Sequence, residues 1–424
     1  MKEYKARLID NAIAMYIEAA PVILIEGAKA VGKSETCKQF MKYEYNLLDE
    51  LVKDAVAFDP NIILDSARPV LIDEWHKLPS IWDFLRRKVD EGLSPGSFLL
   101  TGSNPRFNHD LHSGAGRIIT LKMWPFSIEE RQLTPKKISI KELLYNNINI
   151  SGECSLEAND YIDDIYKSGF PEIREYPEFM AKKLLEDYTK NIVNHDLEEN
   201  GVIVRKPNML LSWLKAYAAV SATTAAYQTI SDIVLNNSEE VPSKKTSVMY
   251  RENLEMLNII EEVPTWLAMG KLTVNLGRTP KHFLMEPALI VSLLKIDKED
   301  LLFTRANKSI SKFNKTLFGQ VFESYIYQSL RVYCDINNYD LSHFRTSKGD
   351  KEIDFIVQKG RRILAIEVKA KTTKINEDDV KHLNWFEKEI QDEYEIKKIV
   401  VYAGKFAYKT KDNVYVIPAG MLAS

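Results

Sequence analysis

The stretch Ile23-Leu24-Ile25-Glu26-Gly27-Ala28-Lys29-Ala30-Val31-Gly32-Lys33-Ser34 decides the fold of the N-terminal part of the chain. An apolar run leads into a loop that fits the pattern G-x-x-x-x-G-K-[ST] without a mismatch. The two glycines let the backbone turn and bring its N–H groups close to phosphate oxygens, and the N-terminus of the following helix adds to the attraction for an anion. The stretch predicts a strand, a loop whose eight residues bind a nucleoside triphosphate, and a helix; the alternative is an accidental glycine loop.

The bulk composition is that of a folded protein with more than one domain. The chain has 424 residues, of which 45% are hydrophobic and 28% charged, and a formal net charge of -3. That charge argues against a uniformly basic nucleic-acid coat. The three cysteines, Cys37, Cys154 and Cys334, have no metal-like spacing and are expected to be small buried residues. The charged N-terminus and the absence of a run of ~20 apolar residues predict a cytoplasmic protein without a membrane segment.

A second nucleotide motif follows in Val70-Leu71-Ile72-Asp73-Glu74. A buried strand of this kind delivers carboxylates to its carboxyl end, beside the phosphates. We expect Asp73, together with Ser34, to hold Mg²⁺, and Glu74 to polarise the water that attacks the γ-phosphate. The alternative is a strand that ends in a solvated acidic turn.

Two further residues are candidates for the same site. The first lies at the tip of a further predicted strand, Ser97-Phe98-Leu99-Leu100-Thr101-Gly102-Ser103-Asn104, where a polar residue is expected between the first two motifs. Ser103 is the first candidate, and Asn104 the second, to sense the γ-phosphate or orient the attacking water; a simple strand-to-turn boundary is equally compatible. Arg117 either reaches the nucleotide of a neighbouring subunit in a homo-oligomer, as an arginine finger, or pairs with a local acid.

These motifs, with Gly116-Arg117 and Pro125-Phe126-Ser127, resemble the AAA-superfamily ATPases of bacteria and archaea that carry an uncharacterised conserved C-terminal region. The resemblance implies an α/β fold with a five-stranded parallel sheet and helices on both sides, and ATP or ADP and Mg²⁺ as ligands. Members usually have Gln where this chain has His76. Phe170-Pro171-Glu172 resembles a family motif that follows the ATPase core.

The middle of the chain is predicted to be helical. Thr246 to Ile260 has the periodicity of an amphipathic helix. In the family this region is a winged helix, with this helix in the recognition position and a β-wing from Trp266 to Leu284. Lys244, Lys245, Ser247 and Arg251 suit contact with DNA, although winged helices also serve protein contacts and ATPase lids.

The C-terminal region contains a set of acids and one lysine. Asp354 begins one strand of a predicted hairpin, Glu367 and Lys369 share a face of the next, and Glu323 lies on a preceding apolar helix. The set resembles the PD-(D/E)XK nuclease core, in which Asp354 and Glu367 would bind Mg²⁺ and Lys369 would steer the attacking hydroxide. The alternative is a salt-bridged strand pair. Basic residues near the expected cleft are compatible with a phosphate backbone: Arg345, Lys348, Arg361, Arg362, Lys371 and Lys374.

The sequence thus predicts four segments: an ATPase core at 1–135, a connector and helical lid at 136–205, a winged helix at 206–295 and a nuclease-like α/β/α domain at 296–424. We expect an ATP hydrolase acting on nucleic acid, DNA rather than RNA, in which nucleotide occupancy gates access to the nucleic acid. The rival is a signalling or scaffold ATPase whose nuclease-like domain is an inactive binding module. A helicase or loader is a third hypothesis, but no helicase motif series follows the two nucleotide motifs.

Overall fold

The computed structural model describes residues 4–102, 116–199, 202, 204–237, 240–268, 279–306 and 316–424. The chain divides into two compact units. The N-terminal unit comprises the residues up to Pro125 together with Asn253–Ile259, and the C-terminal unit comprises Phe126–Glu252 and Ile260–Ser424.

The N-terminal unit is built on a parallel sheet of five strands. The strands, in chain order, are β1 (Val22–Glu26), β2 (Tyr43–Asn46), β3 (Val70–Asp73), β4 (Phe98–Gly102) and β5 (Ile118–Lys122). Their order in the sheet is β2-β3-β4-β1-β5. Strand β4 therefore lies between the strand that precedes the phosphate loop and the strand that ends in Asp73. The predicted five-stranded parallel sheet is confirmed.

Four helices accompany this sheet: α1 (Ile9–Ile17), α2 (Lys33–Lys38), α3 (Glu50–Phe58) and α4 (Ser80–Asp90). The side chain of Asp49 caps α3 by accepting the backbone N–H groups of Leu51 and Val52. Apolar side chains of the strands and of α4 form the core, in which Trp75 stacks on Trp82 with ring centroids 4.9 Å apart. Strands β1, β3 and β4 are buried on both faces of the sheet. Their apolar residues therefore favour the three central positions of the sheet over its edges.

The C-terminal unit contains a mixed sheet of seven strands, in the order β10-β11-β12-β13-β15-β14-β7. Its other strands form the two-stranded pairs β6 with β16 and β8 with β9. The bounds are β6 (Ile138–Ser139), β7 (Gly152–Glu153), β8 (Ile260–Val263), β9 (Lys281–Leu284), β10 (Asp340–Arg345), β11 (Glu352–Lys359), β12 (Arg362–Lys369), β13 (Glu395–Tyr402), β14 (Phe406–Lys409), β15 (Val414–Pro418) and β16 (Leu422–Ala423).

The helices of this unit are α5 (Ile140–Tyr145), α6 (Ala158–Lys167), α7 (Glu178–Asn191), α8 (Leu197–Glu199), α9 (Pro207–Ala219), α10 (Tyr227–Asn237), α11 (Lys244–Met256) as far as Glu252, α12 (Pro287–Leu294), α13 (Lys298–Ala306), α14 (Leu317–Asn337) and α15 (Glu377–Ile390). In the N-terminal unit, short 3₁₀ turns occur at Pro60–Ile63 and Trp75–Lys77. In the C-terminal unit they occur at Ile173–Glu175 and Ala419–Met421, and a π-helical turn occurs at Ile192–Asp196. Capping boxes at the starts of α6 and α15 define where these two helices begin.

The segment predicted as a connector folds together with the C-terminal sheet. Strand β7 pairs with β14, and β6 pairs with β16 near the end of the chain. The ammonium group of Lys397 on β13 donates to the backbone carbonyls of Leu143 and Asn146 at 2.6 and 2.8 Å. These long-range pairings place the residues after Phe126 and the C-terminal domain in one unit.

Helices α9, α10 and α11 precede the antiparallel pair β8–β9. Thr223, between α9 and α10, forms a bridge to His282 of β9. Most of the predicted wing, residues 269–278, lies outside the described residues. Trp266 packs in the core of the large sheet, where its ring approaches Phe386 and Tyr394.

All three cysteines are buried and free, as predicted. None of the helices in the described part of the chain has the length and apolar character needed to span a bilayer.

Candidate functional sites

The phosphate loop has the backbone conformation that its sequence predicts. Gly32 and Ala30 have positive φ angles of 100° and 65°. A Cβ atom at Gly27 would lie 2.2 Å from the carbonyl oxygen of Met123, so only glycine fits there. Helix α2 has only six residues, so its dipole is short. The backbone N–H groups of the loop are therefore the main groups that can bind an anion.

Two cationic side chains hold the loop in place. Lys33 is buried and donates to the carbonyls of Gly27 and Ala28 at 2.9 and 2.8 Å. Burial lowers the pKa of Lys33, and the charges of Glu74 and Asp73 partly oppose this shift. Arg7, which the sequence interpretation did not single out, donates to the carbonyls of Val31 and Trp124 at 2.8 and 2.7 Å. Arg7 is thus a positioning residue for the loop.

Hard oxygen atoms cluster around the carboxylate of Asp73. The hydroxyl of Ser34 donates to Asp73 Oδ1 at 2.8 Å, and the hydroxyl of Thr101 donates to the same oxygen. Oxygen donors of this kind are the ligands that Mg²⁺ prefers, with water and phosphate oxygens completing its shell. The donor set at the end of β3 therefore fits a magnesium ion.

Glu74 follows Asp73 in a left-handed conformation with φ of 56°. Its backbone N–H donates to Thr101 Oγ1 at 3.4 Å, and its carboxylate lies 3.3 Å from His76 Nδ1. Burial raises the pKa of Glu74; the charge of Lys33 acts against this, and that of Asp73 adds to it. The geometry places a partly buried carboxylate beside Asp73, where the sequence predicts the group that polarises water.

One polar residue of β4 that contacts both acids is Thr101, which the sequence interpretation did not single out. Ser103 and Asn104 lie outside the described residues, whereas Thr101 of β4 contacts both Asp73 and Glu74. The sheet order is the reason, because β4 lies directly beside β3. The available signal was a polar residue, Thr101, within an otherwise apolar strand.

Arg117 lies at the edge of the sheet opposite the phosphate loop. It precedes β5, whose first residue, Ile118, pairs with the first residue of the parallel strand β1, Val22. The loop follows the other end of β1, roughly 16 Å away along the strand. Arg117 donates to Asp90 Oδ1 at 2.6 Å. Arg117 therefore lies away from the phosphate loop of its own chain and pairs with a local acid. Its role toward the nucleotide of a second subunit stays a prediction.

A cleft of about 610 Å³ in the C-terminal unit is lined by all four residues predicted for the nuclease-like site, Glu323, Asp354, Glu367 and Lys369. Glu323 comes from α14, Asp354 from β11, and the other two from β12. The cleft also contains Glu352 and His382, which the sequence interpretation missed. The sequence thus identified the members of a cluster that three separate elements assemble.

The carboxylates of this cleft are held by nitrogen donors. Asp354 Oδ2 accepts the backbone N–H of Val368 at 2.9 Å, and Glu367 Oε2 accepts from Lys369 at 2.7 Å. The latter contact is the salt-bridged strand pair considered as the alternative. Burial disfavours the charged form of Lys369, but the charges of Glu367 and Asp354 outweigh this and raise its pKa. Within the described ranges, no three His, Cys, Asp or Glu side chains are grouped so as to hold a metal ion. In this arrangement Asp354 accepts from the N–H of Val368 and Glu367 pairs with Lys369, and the role of these two carboxylates as magnesium ligands stays a prediction.

The predicted basic cluster is divided in space. Lys371 lines the cleft and pairs with Asp379. Arg361 and Arg362 lie at the opposite end of β12, about 20 Å from Lys369 along the strand, and Arg362 pairs with Glu395 at 3.2 Å. The prediction that these two arginines surround the cleft is wrong, because nearness in sequence along a strand is not nearness to one of its ends.

The predicted DNA-facing residues of α11 are also not all exposed. Ser247 is buried, and the guanidinium group of Arg251 lies over the ring of Tyr227, 5.4 Å from its centroid. Lys244 and Lys245 are exposed. The basic surface of this helix is therefore limited to its first turn.

Three family models match successive parts of the chain. Residues 19–132 match the model described as an AAA domain. Residues 158–300 match a domain of unknown function (DUF8612), and residues 318–422 match another domain of unknown function (DUF4143). The two motifs around Lys33 and Asp73 both lie within the residues that match the AAA domain model.

The chain is similar to the uncharacterized protein Rv2008c of Mycobacterium tuberculosis (strain ATCC 25618 / H37Rv), with 23% identity over 96% of this chain and 82% of that protein. Among solved structures, it is similar to a Walker-type ATPase of Pyrococcus abyssi, with 14% identity over 68% of this chain and 96% of that chain and a TM-score of 0.41. It also matches the Aeropyrum pernix ORC1 protein in complex with DNA, with 13% identity over 70% of this chain and 92% of that chain and a TM-score of 0.25. Structural likenesses of this size carry no conclusion about function.

Replacing Thr101 with valine tests the role of β4 in the AAA domain. Valine preserves the shape of the side chain but removes the hydroxyl that contacts Asp73 and accepts the Glu74 N–H. We expect kcat for ATP hydrolysis to fall roughly tenfold and the Mg²⁺ concentration for half-maximal rate to rise, since a hydrogen bond to a charged group is lost. Steady-state kinetics over a Mg²⁺ titration measure both. If a folded variant keeps the wild-type kcat and Mg²⁺ dependence, Thr101 has no role in hydrolysis.

Proposed function

We propose that the protein is a magnesium-dependent ATP hydrolase. The observation that carries this proposal is that the hydroxyl groups of Ser34 and Thr101 both donate to Oδ1 of Asp73. The charges of Lys33 and Glu74 lie close enough to interact with each other and with Asp73. The loop N–H groups and Lys33 bind the phosphates, and Ser34 and Asp73 hold the metal ion. Bound Mg²⁺ neutralises charge on the phosphates. Glu74 accepts a hydrogen bond from the attacking water and orients it.

The ATP-binding part of this proposal is tested by Lys33, independently of hydrolysis. Lys33→Ala removes the buried ammonium group that faces Asp73 and Glu74. Equilibrium binding of a fluorescent ATP analogue to the wild-type chain and to this variant separates loss of nucleotide from loss of chemistry. Equal affinity of the two proteins would contradict the assignment of the loop.

For the middle region we propose a winged helix. The order of α9, α10, α11 and the pair β8–β9, with the bridge from Thr223 to His282, supports it. Because only the first turn of α11 presents exposed lysines and the helix carries acids further on, contact with protein is favoured over reading of DNA bases.

For the C-terminal domain we propose a nuclease-like fold. The chain order α14, β10, β11, β12, α15, β13, with Glu323, Asp354, Glu367 and Lys369 in one cleft, supports the resemblance to the PD-(D/E)XK core. A cutting enzyme and an inactive binding module for nucleic acid or protein both have this fold. The ion pairs and N–H donors on the carboxylates favour the binding module.

A plasmid-nicking assay separates the two forms of this domain. We expect the purified wild-type chain, Asp354→Ala and Glu367→Ala to nick supercoiled plasmid equally little in Mg²⁺, because the carboxylates already have nitrogen partners. ATP hydrolysis by all three proteins serves as the control for folding. Cutting by the wild type that both substitutions abolish would establish a nuclease instead.

A further inference from the structure

The acidic cleft of the C-terminal unit contains a cation supplied by the chain itself. Lys281, the first residue of β9, is fully buried. Its Nζ lies 2.5 Å from Glu323 Oε1, 2.9 Å from Asp354 Oδ1 and 3.2 Å from Glu352 Oε1. An ammonium group has three hydrogen atoms to donate. The three carboxylates, from α14 and β11, therefore converge on one ammonium group.

This ammonium group lies where a divalent ion would have to be bound. A metal ion held jointly by Glu323 and Asp354 has to lie within about 2–2.6 Å of their oxygens, and Lys281 Nζ already approaches both to 2.9 Å or less. Two cations at such a short separation repel strongly in a buried site. Lysine and metal ion are thus mutually exclusive between these carboxylates.

The lysine is fixed by its surroundings and stays charged. Burial disfavours its charged form, but Asp354, Glu323 and Glu352 together outweigh burial and hold the pKa of Lys281 well above its ordinary value. Two residues further along β9, Phe283 stacks on Tyr327 of α14 with ring centroids 4.0 Å apart. The strand that carries the lysine is therefore anchored to the helix that carries Glu323.

We propose that Lys281 is the resident cation of this cleft: its ammonium group replaces a divalent metal ion between Glu323 and Asp354, and a metal site forms only when the lysine is removed. The inference rests on the proposed nuclease-like fold only in comparing this cleft with the metal site of such a fold; the contacts of Lys281 do not depend on it. It assigns to β9, a strand outside the 318–422 match, the role of closing that site.

The test uses the nucleotide-free full-length chain and Mn²⁺ as the probe. In EDTA, Lys281→Met is expected to melt on the order of 10 °C below the wild type, because three buried carboxylates lose their counter-charge. Excess Mn²⁺ is expected to recover roughly half of that loss or more, since the ion binds only the folded protein. Adding Asp354→Asn to Lys281→Met should abolish the recovery, and Mn²⁺ should shift the midpoint of the wild type no more than that of this double variant.

A second measurement covers the case in which Lys281→Met fails to fold. Calorimetric titration of the wild type and of Glu367→Gln with Mn²⁺ should give the same weak binding, because Glu367 pairs with Lys369 and the proposal places no metal ion on it. Tight binding of Mn²⁺ by the wild type that Glu367→Gln removes would overturn the proposal. Neither result depends on ATP hydrolysis or on plasmid cutting, so failure of this inference is distinguishable from failure of the proposed function.

Discussion

Replacing Glu74 with glutamine is expected to lower kcat for ATP hydrolysis by about 10²–10³-fold while nucleotide binding persists. The amide has nearly the shape of the carboxylate but cannot act as an anionic acceptor for the attacking water. The phosphate loop, Lys33 and Asp73 are unchanged, so the bound phosphates keep their partners. Phosphate release measures the rate, and a fluorescent ATP analogue measures the affinity.

Glu91→Gln is the matched control for this change. Glu91 follows α4, and its side chain is 61% exposed and pairs with Lys88. The same chemical change at this surface position is expected to leave kcat within twofold of the wild-type value, an effect of the size that surface pairs give. Hydrolysis by Glu74→Gln at the wild-type rate would contradict the assignment of Glu74 as the group that orients the attacking water.

The pH dependence follows from the same residue. Burial raises the pKa of Glu74 above its ordinary value of 4.5. Because the carboxylate acts in its ionised form, the rate falls as pH falls through this raised pKa and reaches its plateau above it. The acid limb of a kcat/KM profile, which reports the free protein, is therefore expected above pH 4.5 in the wild type, and the residual activity of Glu74→Gln should lack it.

Replacing Asp164 with alanine is expected to lower the free energy of unfolding by about 3–5 kcal/mol. Asp164 lies on α6 and is buried, with Arg131 Nη1 at 2.6 Å from Oδ2 and with Arg174 on its other oxygen. The hydroxyl of Tyr325 on α14 donates to Oδ2 at 2.9 Å. Removing the carboxylate leaves the fully buried guanidinium group of Arg131 without its counter-charge.

Asp163→Ala is the control, because this neighbouring side chain is 53% exposed and pairs with Lys298 at the surface. Its expected cost is about 1 kcal/mol or less. The midpoint of thermal unfolding, followed by circular dichroism, compares the two variants. Equal midpoints would show that the buried network adds no stability.

The pKa of Asp164 gives the sign of the pH dependence. Burial acts to raise this pKa, but Arg131 and Arg174 outweigh it and lower the pKa below its ordinary value of 3.8. The unfolded chain therefore binds the proton more readily than the folded one. The stability that Asp164 contributes is complete above pH 3.8 and is lost as pH falls through the depressed value. The difference between the wild type and Asp164→Ala should narrow in that range.

Local patterns were sufficient where one segment builds a whole feature. The phosphate loop, the acids that end β3 and the hairpin β11–β12 were predicted because each depends on neighbours in the sequence: glycine at turns, apolar runs in buried strands, and alternation along a strand. The contact of Thr101 with Asp73 was not predicted, because the sequence does not state which two strands flank β4.

Long-range contacts decided the rest. Arg117 was separated from the phosphate loop by the parallel register of β5 with β1. The connector joined the C-terminal unit through β6 and β7, which are too short to have a pattern of their own. No local signal connects Lys281 with Glu323 and Asp354, because an isolated lysine in a strand has the same sequence signature whether it is solvated or buried.

The sequence by itself determined the chemistry available to this protein: a loop for phosphates, acids for magnesium and water, and an acidic set with one lysine near the C-terminus. Tertiary structure alone decided how the charges are paired. It brought Thr101 to Asp73, Arg131 to Asp164 and Lys281 to Glu323. The physical reason is that a buried charge requires a partner, and the partner is supplied by whichever element packs against it, however distant in the chain.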